Sequence, residues 1–252
     1  MKITVIGAGN MGGAIVKGWA KASRSAAFID EVQLTATART QKTLDALVAA
    51  FPEVSVSLDN RAAVEGADVV VVAVKPWLVD EVIAEQGDLL NDKTVMSVAA
   101  SVKNPAIDVY VMPNIAAEFG EGMIFVNKDG KADAVALAER LFSVLGKVMV
   151  VDEKSLNAGN MMAGCGIAYV MRFIRAMMEG GVEMGLYPNV AKEIAMRAME
   201  GAVTLLDETG LHPEAAIDKV TTPGGLTIKG LNELDHSGFN SAVVRCLKAG
   251  LK

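Results

Sequence analysis

Cysteine is nearly absent from this 252-residue sequence, in which Cys165 and Cys246 are the only two. Two cysteines cannot build a disulfide framework, and neither stands in a CxxC or other metal-type spacing. Histidine is equally scarce, because His212 and His236 are the only two and neither has a partner pattern for metal binding or catalysis. The sequence therefore predicts no metal site and no mechanism that depends on cysteine or histidine.

Basic clusters and long apolar segments are also missing. The formal net charge is −6 and no run of lysine and arginine occurs, which disfavours a nucleic-acid partner. The longest uncharged apolar run of note, Met161 to Met171, is far shorter than the ~20 residues that span a bilayer. The first residues form a strand-like segment and a glycine loop, not a signal peptide. We therefore expect a soluble, cytoplasmic protein without a membrane partner.

Hydrophobic residues make up 52% of the sequence and charged residues 21%, so the chain is able to bury a large core. Short β-branched runs alternate with helical patterns in the first half, which is typical of a mostly parallel, doubly wound sheet. The predicted strands are Lys2–Ile6, Val32–Thr37, Val54–Ser57, Asp68–Val74, Val95–Val98, Val109–Met112, Met123–Val126 and Lys147–Val151. The sequence thus predicts an α/β fold, with a doubly wound domain at 1–152 and an all-helical domain at 153–252.

The helical half contains many small residues beside methionines, among them Gly164, Gly166, Met177 and Met178. A helical segment with so many apolar and small positions is hard to bury within one subunit. We therefore predict a homodimer or larger homo-oligomer that forms through this half.

A glycine loop, GAGNMG, occupies residues 7–12 directly after the first predicted strand. Its GxGxxG spacing between a strand and a helix is typical of the Rossmann fold, in which the glycines make a tight turn, admit a pyrophosphate and let helix and strand pack closely. Free N–H groups at the start of the helix would bind the phosphates. The alternative is a turn without a ligand. The residues predicted to bind a dinucleotide are Gly7, Gly9, Asn10, Met11 and Gly12.

The second predicted strand ends without the acidic residue that binds the ribose 2′-hydroxyl of NAD. Arg39, Thr40 and Lys42 follow it instead. Arg39 is suited to a bidentate contact with a 2′-phosphate, and Thr40 to a further hydrogen bond. We therefore predict NADPH as the cofactor, with NADH as the second choice. In the alternative, these residues are only the solvated start of a helix.

Two further segments follow strands at the edge where ligands bind in this fold. Ala73, Val74, Lys75 and Pro76 come after one strand and are predicted to contact the cofactor, although Lys75 also suits a plain surface position. Asn114 follows the strand Val109–Met112 and is predicted to lie near the nicotinamide, with a turn-forming role as the alternative.

Five motifs together indicate a family. They are Ile6–Gly12, Ala73–Pro76, Met112–Asn114, Ala163–Tyr169 and Thr222–Thr227. In this order they resemble pyrroline-5-carboxylate reductase, the last enzyme of proline synthesis. The resemblance covers nearly the whole chain, and its most specific part is the Pro-Gly-Gly-x-Thr segment that begins at Pro223.

The resemblance implies a Rossmann domain followed by a helical domain that forms an intertwined dimer. It implies hydride transfer from NAD(P)H to the C=N carbon of 1-pyrroline-5-carboxylate. Backbone N–H groups before the helical run Leu226–Leu234 would bind the substrate carboxylate, although a plain Pro-Gly helix cap is the alternative. Thr227 would contact the ring nitrogen as the catalytic residue. The predicted substrate-binding residues are Thr222, Gly224, Gly225 and Thr227.

Several segments differ from the family pattern, including Met112–Ala116 and Tyr110. Ala163–Tyr169 replaces the family's Ser-Gly-Ser-Gly-Pro-Ala-Tyr, and Ser101–Asp108 is too short for the helix that the family commonly carries there. Two alternatives therefore stay open: a related NADP-dependent reductase of another small imino or keto acid, and a non-catalytic regulatory paralogue that binds NADPH.

Overall fold

The computed structural model describes residues 1–25 and 31–250 and forms two compact units, Met1–Gly164 and Cys165–Lys252. Within the described residues, the first unit is built on one eight-stranded sheet. Its strands are β1 (Lys2–Ile6), β2 (Gln33–Thr37), β3 (Ser55–Ser57), β4 (Val69–Val72), β5 (Thr94–Ser97), β6 (Val109–Met112), β7 (Gly122–Asn127) and β8 (Gly146–Val151). Since the compact units divide at Gly164, inside a helical stretch, the domain division at 152–153 stays a prediction.

The strand order is β3-β2-β1-β4-β5-β6-β7-β8, and only β6 and β7 pair antiparallel among these described strands. The order of the first six strands is that of the Rossmann fold, and it reverses between β1 and β4. β7 runs against β6 because a short 3₁₀ helix at Ile115–Phe119, closed by Gly120 at a φ of 77°, connects them; a parallel pair needs a longer crossover. The predicted mostly parallel, doubly wound sheet is confirmed.

Helices alternate with the strands as far as β8 and follow one another after it. They are α1 (Asn10–Arg24), α2 (Gln41–Ala50), α3 (Asn60–Glu65), α4 (Val79–Gln86), α5 (Ala132–Phe142), α6 (Glu153–Gly159), α7 (Gly166–Glu183), α8 (Pro188–Thr209), α9 (Pro213–Lys219), α10 (Leu226–His236) and α11 (Phe239–Ala249). A π-helical turn, Asn160–Cys165, joins α6 to α7. As expected, Ser101–Asp108 contains no helix.

The short helices α3 and α4 were not predicted by the apolar pattern. Asp59 caps α3, because its carboxylate accepts hydrogen bonds from Arg61 N at 2.9 Å and Ala62 N at 3.2 Å. An aspartate in this position is a common helix start, so the sequence did carry a signal for α3.

Both faces of the sheet are covered, and the four residues of β4, all valines, are therefore buried. On one face, Trp19 of α1 is fully buried. Its Nε1 donates to the carbonyl of Leu141 at 2.7 Å, and its ring meets Phe142 edge-on at a centroid distance of 5.2 Å. On the other face, Val64 of α3 and Val79 of α4 belong to one core cluster. Neighbouring helices α3 and α4 thus share that face.

In the second unit, α7 and α8 pack closely because Gly181 leaves room for Ala191, whose Cβ would lie 2.9 Å from a β-carbon at position 181. α7 also contacts α11 through Phe173 and Phe239, with ring centroids 5.9 Å apart. The described residues of this unit add no member to the buried apolar clusters. Large exposed apolar side chains are Met184, Ile194, Val203, Leu226 and Val244. Exposed apolar surface of this extent is typical of a protein contact.

The continuous helical stretch Glu153–Glu183 is long and apolar enough to cross a membrane by length and composition alone. It extends well beyond the apolar run Met161 to Met171 that the sequence singles out. The same length and composition also suit a helix that packs between subunits. The expectation of no membrane partner therefore stays a prediction.

Trp19 offers a test of this packing. Trp19→Phe removes the hydrogen bond to the carbonyl of Leu141 in the last turn of α5 and leaves space in the core. We expect a loss of about 2–4 kcal/mol in the free energy of unfolding, measured by urea denaturation. Trp77→Phe, at an exposed tryptophan, is the matched control and changes stability by less than about 0.5 kcal/mol. Equal stability of the two variants would contradict the packing.

Candidate functional site

The glycine loop forms a turn whose first position requires glycine. Gly7 has a φ of +99°, a value that other residues rarely adopt. Gly7 N and Ala8 N both donate to the carbonyl of Thr37, at 3.1 and 2.6 Å. Two hydrogen bonds therefore attach the turn to the end of β2.

Gly12 and Gly9 differ in what surrounds them. A β-carbon at Gly12 would lie 2.2 Å from the carbonyl oxygen of Gly7 and 3.0 Å from Ala73 Cβ, so α1 packs directly against the turn and the end of β4. A β-carbon at Gly9 would meet no atom of the described residues within 4 Å. Packing therefore does not require glycine at position 9, where the missing side chain leaves the backbone open to a ligand.

The amino end of α1 is suited to an anion. Its cap, Gly9, provides no side-chain hydrogen bond, and no acidic residue lies in the first turn. The first N–H groups of a helix, here those of residues such as Asn10 and Met11, lack intrahelical partners, and the helix dipole places partial positive charge there. A pyrophosphate would satisfy these groups. The residues present thus fit the phosphates of a dinucleotide.

Arg39 and Thr40 follow β2 and are both exposed. Within residues 1–25 and 31–250, Arg39 takes part in no ion pair between side chains. The hydroxyl of Thr40 is 2.9 Å from that of Thr43 in the first turn of α2, and Thr40 caps α2 without a side-chain hydrogen bond. An exposed guanidinium two residues after Thr37 suits a 2′-phosphate, and the contact itself stays a prediction.

Asn60, which the sequence reasoning missed, also lies at this edge of the sheet. The hydroxyl of Thr37 donates to Asn60 Oδ1 at 2.6 Å and is 3.4 Å from Gly7 N. The first residue of α3 is thereby held beside the glycine turn. The Asp59 cap predicts a helix start at this position, but only the sheet order places that start next to β1 and β2.

The segment after β4 lies against the glycine turn. Ala73 N donates to the carbonyl of Ile6 at 2.9 Å, and Val74 Cγ1 is 2.9 Å from the position of a β-carbon on Gly7. Lys75 and Pro76 are exposed on the same edge. The structure thus brings Ala73 and Val74 to the turn, while the contacts of all four predicted residues with a cofactor stay predictions.

Asn114 is buried and is hydrogen-bonded within the protein. Its Oδ1 accepts from Ala116 N and its Nδ2 donates to the carbonyl of Ala163, both at 3.2 Å. The turn-forming role is therefore observed, and the predicted place of Asn114 near the nicotinamide stays a prediction. The amide also contacts the π-helical turn, in which a β-carbon at Gly164 would lie 2.4 Å from Asn160 Oδ1.

The predicted substrate loop lies before α10 in the second unit. Gly224 has a φ of +72°, and a β-carbon on Gly225 would lie 2.7 Å from Thr222 Oγ1. Gly225 N donates to the carbonyl of Thr222 at 2.9 Å. Gly225 is the N-cap of α10 and provides no side-chain hydrogen bond. Thr227 lies in the first turn, is exposed and makes no hydrogen bond with its hydroxyl in the described part of the chain. This loop therefore presents an uncapped helix start beside a free hydroxyl.

Comparison with known proteins covers both halves of the chain. Residues 153–252 match the family model of pyrroline-5-carboxylate reductase dimerisation, and residues 2–101 match that of NADP oxidoreductase coenzyme F420-dependent. The chain is 36% identical over 210 residues to the pyrroline-5-carboxylate reductase of Synechocystis, with 79% of each chain covered. It is 33% identical over 260 residues to that of Pisum sativum, with 98% of this chain and 92% of the relative covered.

The chain belongs to the pyrroline-5-carboxylate reductase family. The predicted resemblance is thereby confirmed, and the dimerisation match implies a homo-oligomer. The fold is similar to that of pyrroline carboxylate reductase from Plasmodium falciparum with NADP bound, at a TM-score of 0.86 and 23% identity, with 99% of this chain and 95% of the other covered. This likeness supports the predicted α/β fold with a helical second half.

Substitution of Gly9 tests cofactor binding separately from folding. Gly9→Ala adds a methyl group where no described protein atom lies within 4 Å, so we expect an unchanged Tm. The methyl group blocks the approach of a pyrophosphate to the backbone, so NADPH affinity, measured by calorimetric titration, falls at least about tenfold.

The matched control is Gly13→Ala, whose new β-carbon meets the carbonyl oxygen of Ala8 at an ordinary 3.6 Å. This variant keeps its NADPH affinity, and its Tm does not fall, because alanine is favoured over glycine inside a helix. An NADPH affinity of Gly9→Ala equal to that of the control would show that the turn does not bind phosphate.

Proposed function

We propose that this protein reduces 1-pyrroline-5-carboxylate to L-proline in the cytoplasm, with NADPH as the hydride donor. The proposal rests on one observation, which is that a single chain contains two suitable helix starts. The start of α1 is uncapped and bordered by glycines, and an intact Pro-Gly-Gly-x-Thr loop precedes α10. The first fits a dinucleotide phosphate, and the second fits a small carboxylate. Family membership supports the pairing of these two ligands in one enzyme.

Reduction of a cyclic imine needs little chemistry from side chains. NADPH, when bound, supplies a hydride to the C=N carbon. The π electron pair moves to the ring nitrogen, which is already protonated, so the secondary amine forms without a further proton transfer. The protein has to hold and orient the imine and exclude water, and orientation alone lowers a barrier by about 7–11 kcal/mol in well-oriented systems.

The start of α10 supplies the substrate contacts in this proposal. Backbone N–H groups after Gly224 and Gly225 bind the carboxylate, because they lack both intrahelical partners and a side-chain cap. The hydroxyl of Thr227 accepts a hydrogen bond from the protonated ring nitrogen and orients it. Thr222 shapes the loop through the hydrogen bond that its carbonyl accepts from Gly225 N at 2.9 Å.

The helical half forms a homodimer in this proposal, and dimers are free to associate further. Its exposed apolar side chains, such as Met184 and Leu226 at 80% and 85% exposure, are costly in water. A second copy of the same half would cover them, in accord with the dimerisation match over residues 153–252.

A substrate panel tests the proposed reaction. Purified protein is mixed with NADPH and either 1-pyrroline-5-carboxylate, other cyclic imino acids or 2-keto acids, and absorbance at the nicotinamide band is followed. We expect the highest kcat/KM with 1-pyrroline-5-carboxylate. Thr227→Val loses about a hundredfold in kcat/KM because the imine is no longer oriented, and its NADPH affinity does not change. The control is Thr221→Val, which keeps its kcat/KM. In the unchanged protein, the hydroxyl of Thr221 donates to the carbonyl of Asp218 at 3.1 Å.

The panel also separates the alternatives. Faster turnover of another imino or keto acid identifies a related reductase of that acid. NADPH binding without turnover of any of these substrates identifies a regulatory protein and contradicts the proposed activity.

Arg39 tests the cofactor preference. Its guanidinium would form charge-assisted hydrogen bonds with the 2′-phosphate, which NADH lacks. Arg39→Ala should therefore weaken NADPH binding about tenfold or more while changing NADH affinity less than about twofold, as measured by titration of each cofactor. An equal loss for both cofactors would remove Arg39 from 2′-phosphate recognition.

A further inference from the structure

Ser101 adopts a backbone conformation that is unfavourable for its residue type. Its φ is 60°, and among residues 1–25 and 31–250 no other residue besides glycine has a positive φ. A β-carbon crowds the backbone in this left-handed region, so glycine is the usual residue there. Residues held in such conformations cluster at binding and catalytic sites, which makes the place of Ser101 in the fold informative.

Packing holds the chain on both sides of Ser101. Ala100 packs against the apolar cluster that contains Met112, and Val102 packs against the cluster that contains Val79. The left-handed turn between them cannot relax unless one of these side chains leaves its cluster. The neighbours of Ser101 therefore impose its φ.

The fold itself gives no reason for a hydroxyl at this position. Ser101 is exposed, and its hydroxyl makes no hydrogen bond in the described part of the chain. Ser97, at the end of β5, differs from it, because Ser97 is fully buried and its Oγ accepts from Ala99 N at 3.2 Å. A glycine at position 101 would keep the same turn without strain. The serine side chain is thus retained at a cost in stability and is available to a ligand.

Contacts place Ser101 at the carboxyl edge of β4, β5 and β6. Directly after β5, Val98 N donates to the carbonyl of Val72, the last residue of β4, at 3.0 Å. Ala100 then joins the cluster of Met112, which is the last residue of β6. Ser101 follows Ala100 immediately, so its turn lies where these three parallel strands end.

This edge belongs to the nicotinamide half of the fold. The segment after Ser101 stays at the same edge, because Asn104 Nδ2 donates to Asp80 Oδ1 in the first turn of α4 at 2.8 Å. A Rossmann sheet has two mononucleotide-binding halves, and the end of β2 contacts the adenosine ribose. The nicotinamide half therefore lies over the ends of β4, β5 and β6, where Ser101 stands.

We propose that the hydroxyl of Ser101 hydrogen-bonds the carboxamide of the bound nicotinamide. This inference rests on the proposed binding of NADPH and deepens it, because it names a residue that orients the ring. A hydroxyl both donates and accepts hydrogen bonds, as a carboxamide does, so the two groups match in either orientation of the amide. The contact fixes the rotation of the ring about its bond to the ribose.

Two substitutions separate the strained turn from the hydroxyl. Ser101→Gly removes both the strain and the hydroxyl, whereas Ser101→Ala keeps the strain and removes only the hydroxyl. In the unliganded protein, we expect the Tm of Ser101→Gly to rise by about 2–4 °C and that of Ser101→Ala to stay within about 1 °C of wild type. A lower Tm in Ser101→Gly would show that the fold needs this side chain and would overturn the inference.

Calorimetric titration tests the contact with the nicotinamide. The two probes are NADPH and 2′,5′-ADP, which carries adenine and the 2′-phosphate but no nicotinamide. Both variants lose about fivefold in NADPH affinity, because one hydrogen bond is lost, and keep their 2′,5′-ADP affinity within about twofold. The control is Ser55→Ala, at an exposed serine of β3, and it keeps both affinities.

The outcomes separate this inference from the proposed function. Unchanged NADPH affinity in both variants, or an equal loss of NADPH and 2′,5′-ADP affinity, overturns the contact and leaves the reductase intact. A loss of NADPH affinity in Ser101→Gly but not in Ser101→Ala assigns the effect to the turn and also overturns the contact. Failure of NADPH to bind the unchanged protein overturns both.

Discussion

The open amino end of α1 is the feature on which the account depends. Gly7 turns the chain, Gly12 lets α1 approach the end of β4, and Thr37 fastens the turn to β2. These contacts leave the first N–H groups of α1 unpaired and without a competing carboxylate. Unpaired amides at a positive helix end bind anions, so the fold itself creates a helix start that is suited to a phosphate before any side chain takes part.

Strand order then assembles the remainder of the first site. Because β2 and β4 flank β1, residues from three separate segments meet at the same turn: Thr37 at the end of β2, Asn60 after β3 and Ala73 after β4. The second site has the same physical basis. Gly225 leaves the start of α10 uncapped, and Thr227 adds a hydroxyl in the first turn. In the proposed function, both sites use free backbone N–H groups for an anion, a phosphate in one and a carboxylate in the other.

Local features of the site were predictable from the sequence, and features that depend on sheet order were not. The glycine loop and the Pro-Gly-Gly loop are contiguous, so their spacing alone predicts a turn and a helix start. β1 and β6 have the predicted bounds because β-branched runs between polar residues define them. The bond between Thr37 and Asn60 joins residues 23 positions apart, and no periodicity reports it. The exposed apolar face of the helical half was predictable because small residues and methionines exceed what one subunit can bury.

Hydrogen exchange of the backbone amides, measured by mass spectrometry with and without NADP⁺, tests the central claim most directly. The account predicts slower exchange concentrated in peptides that contain Gly9, Asn10 and Met11, because these N–H groups gain phosphate partners. Saturating NADP⁺ that leaves exchange in this segment unchanged would contradict it.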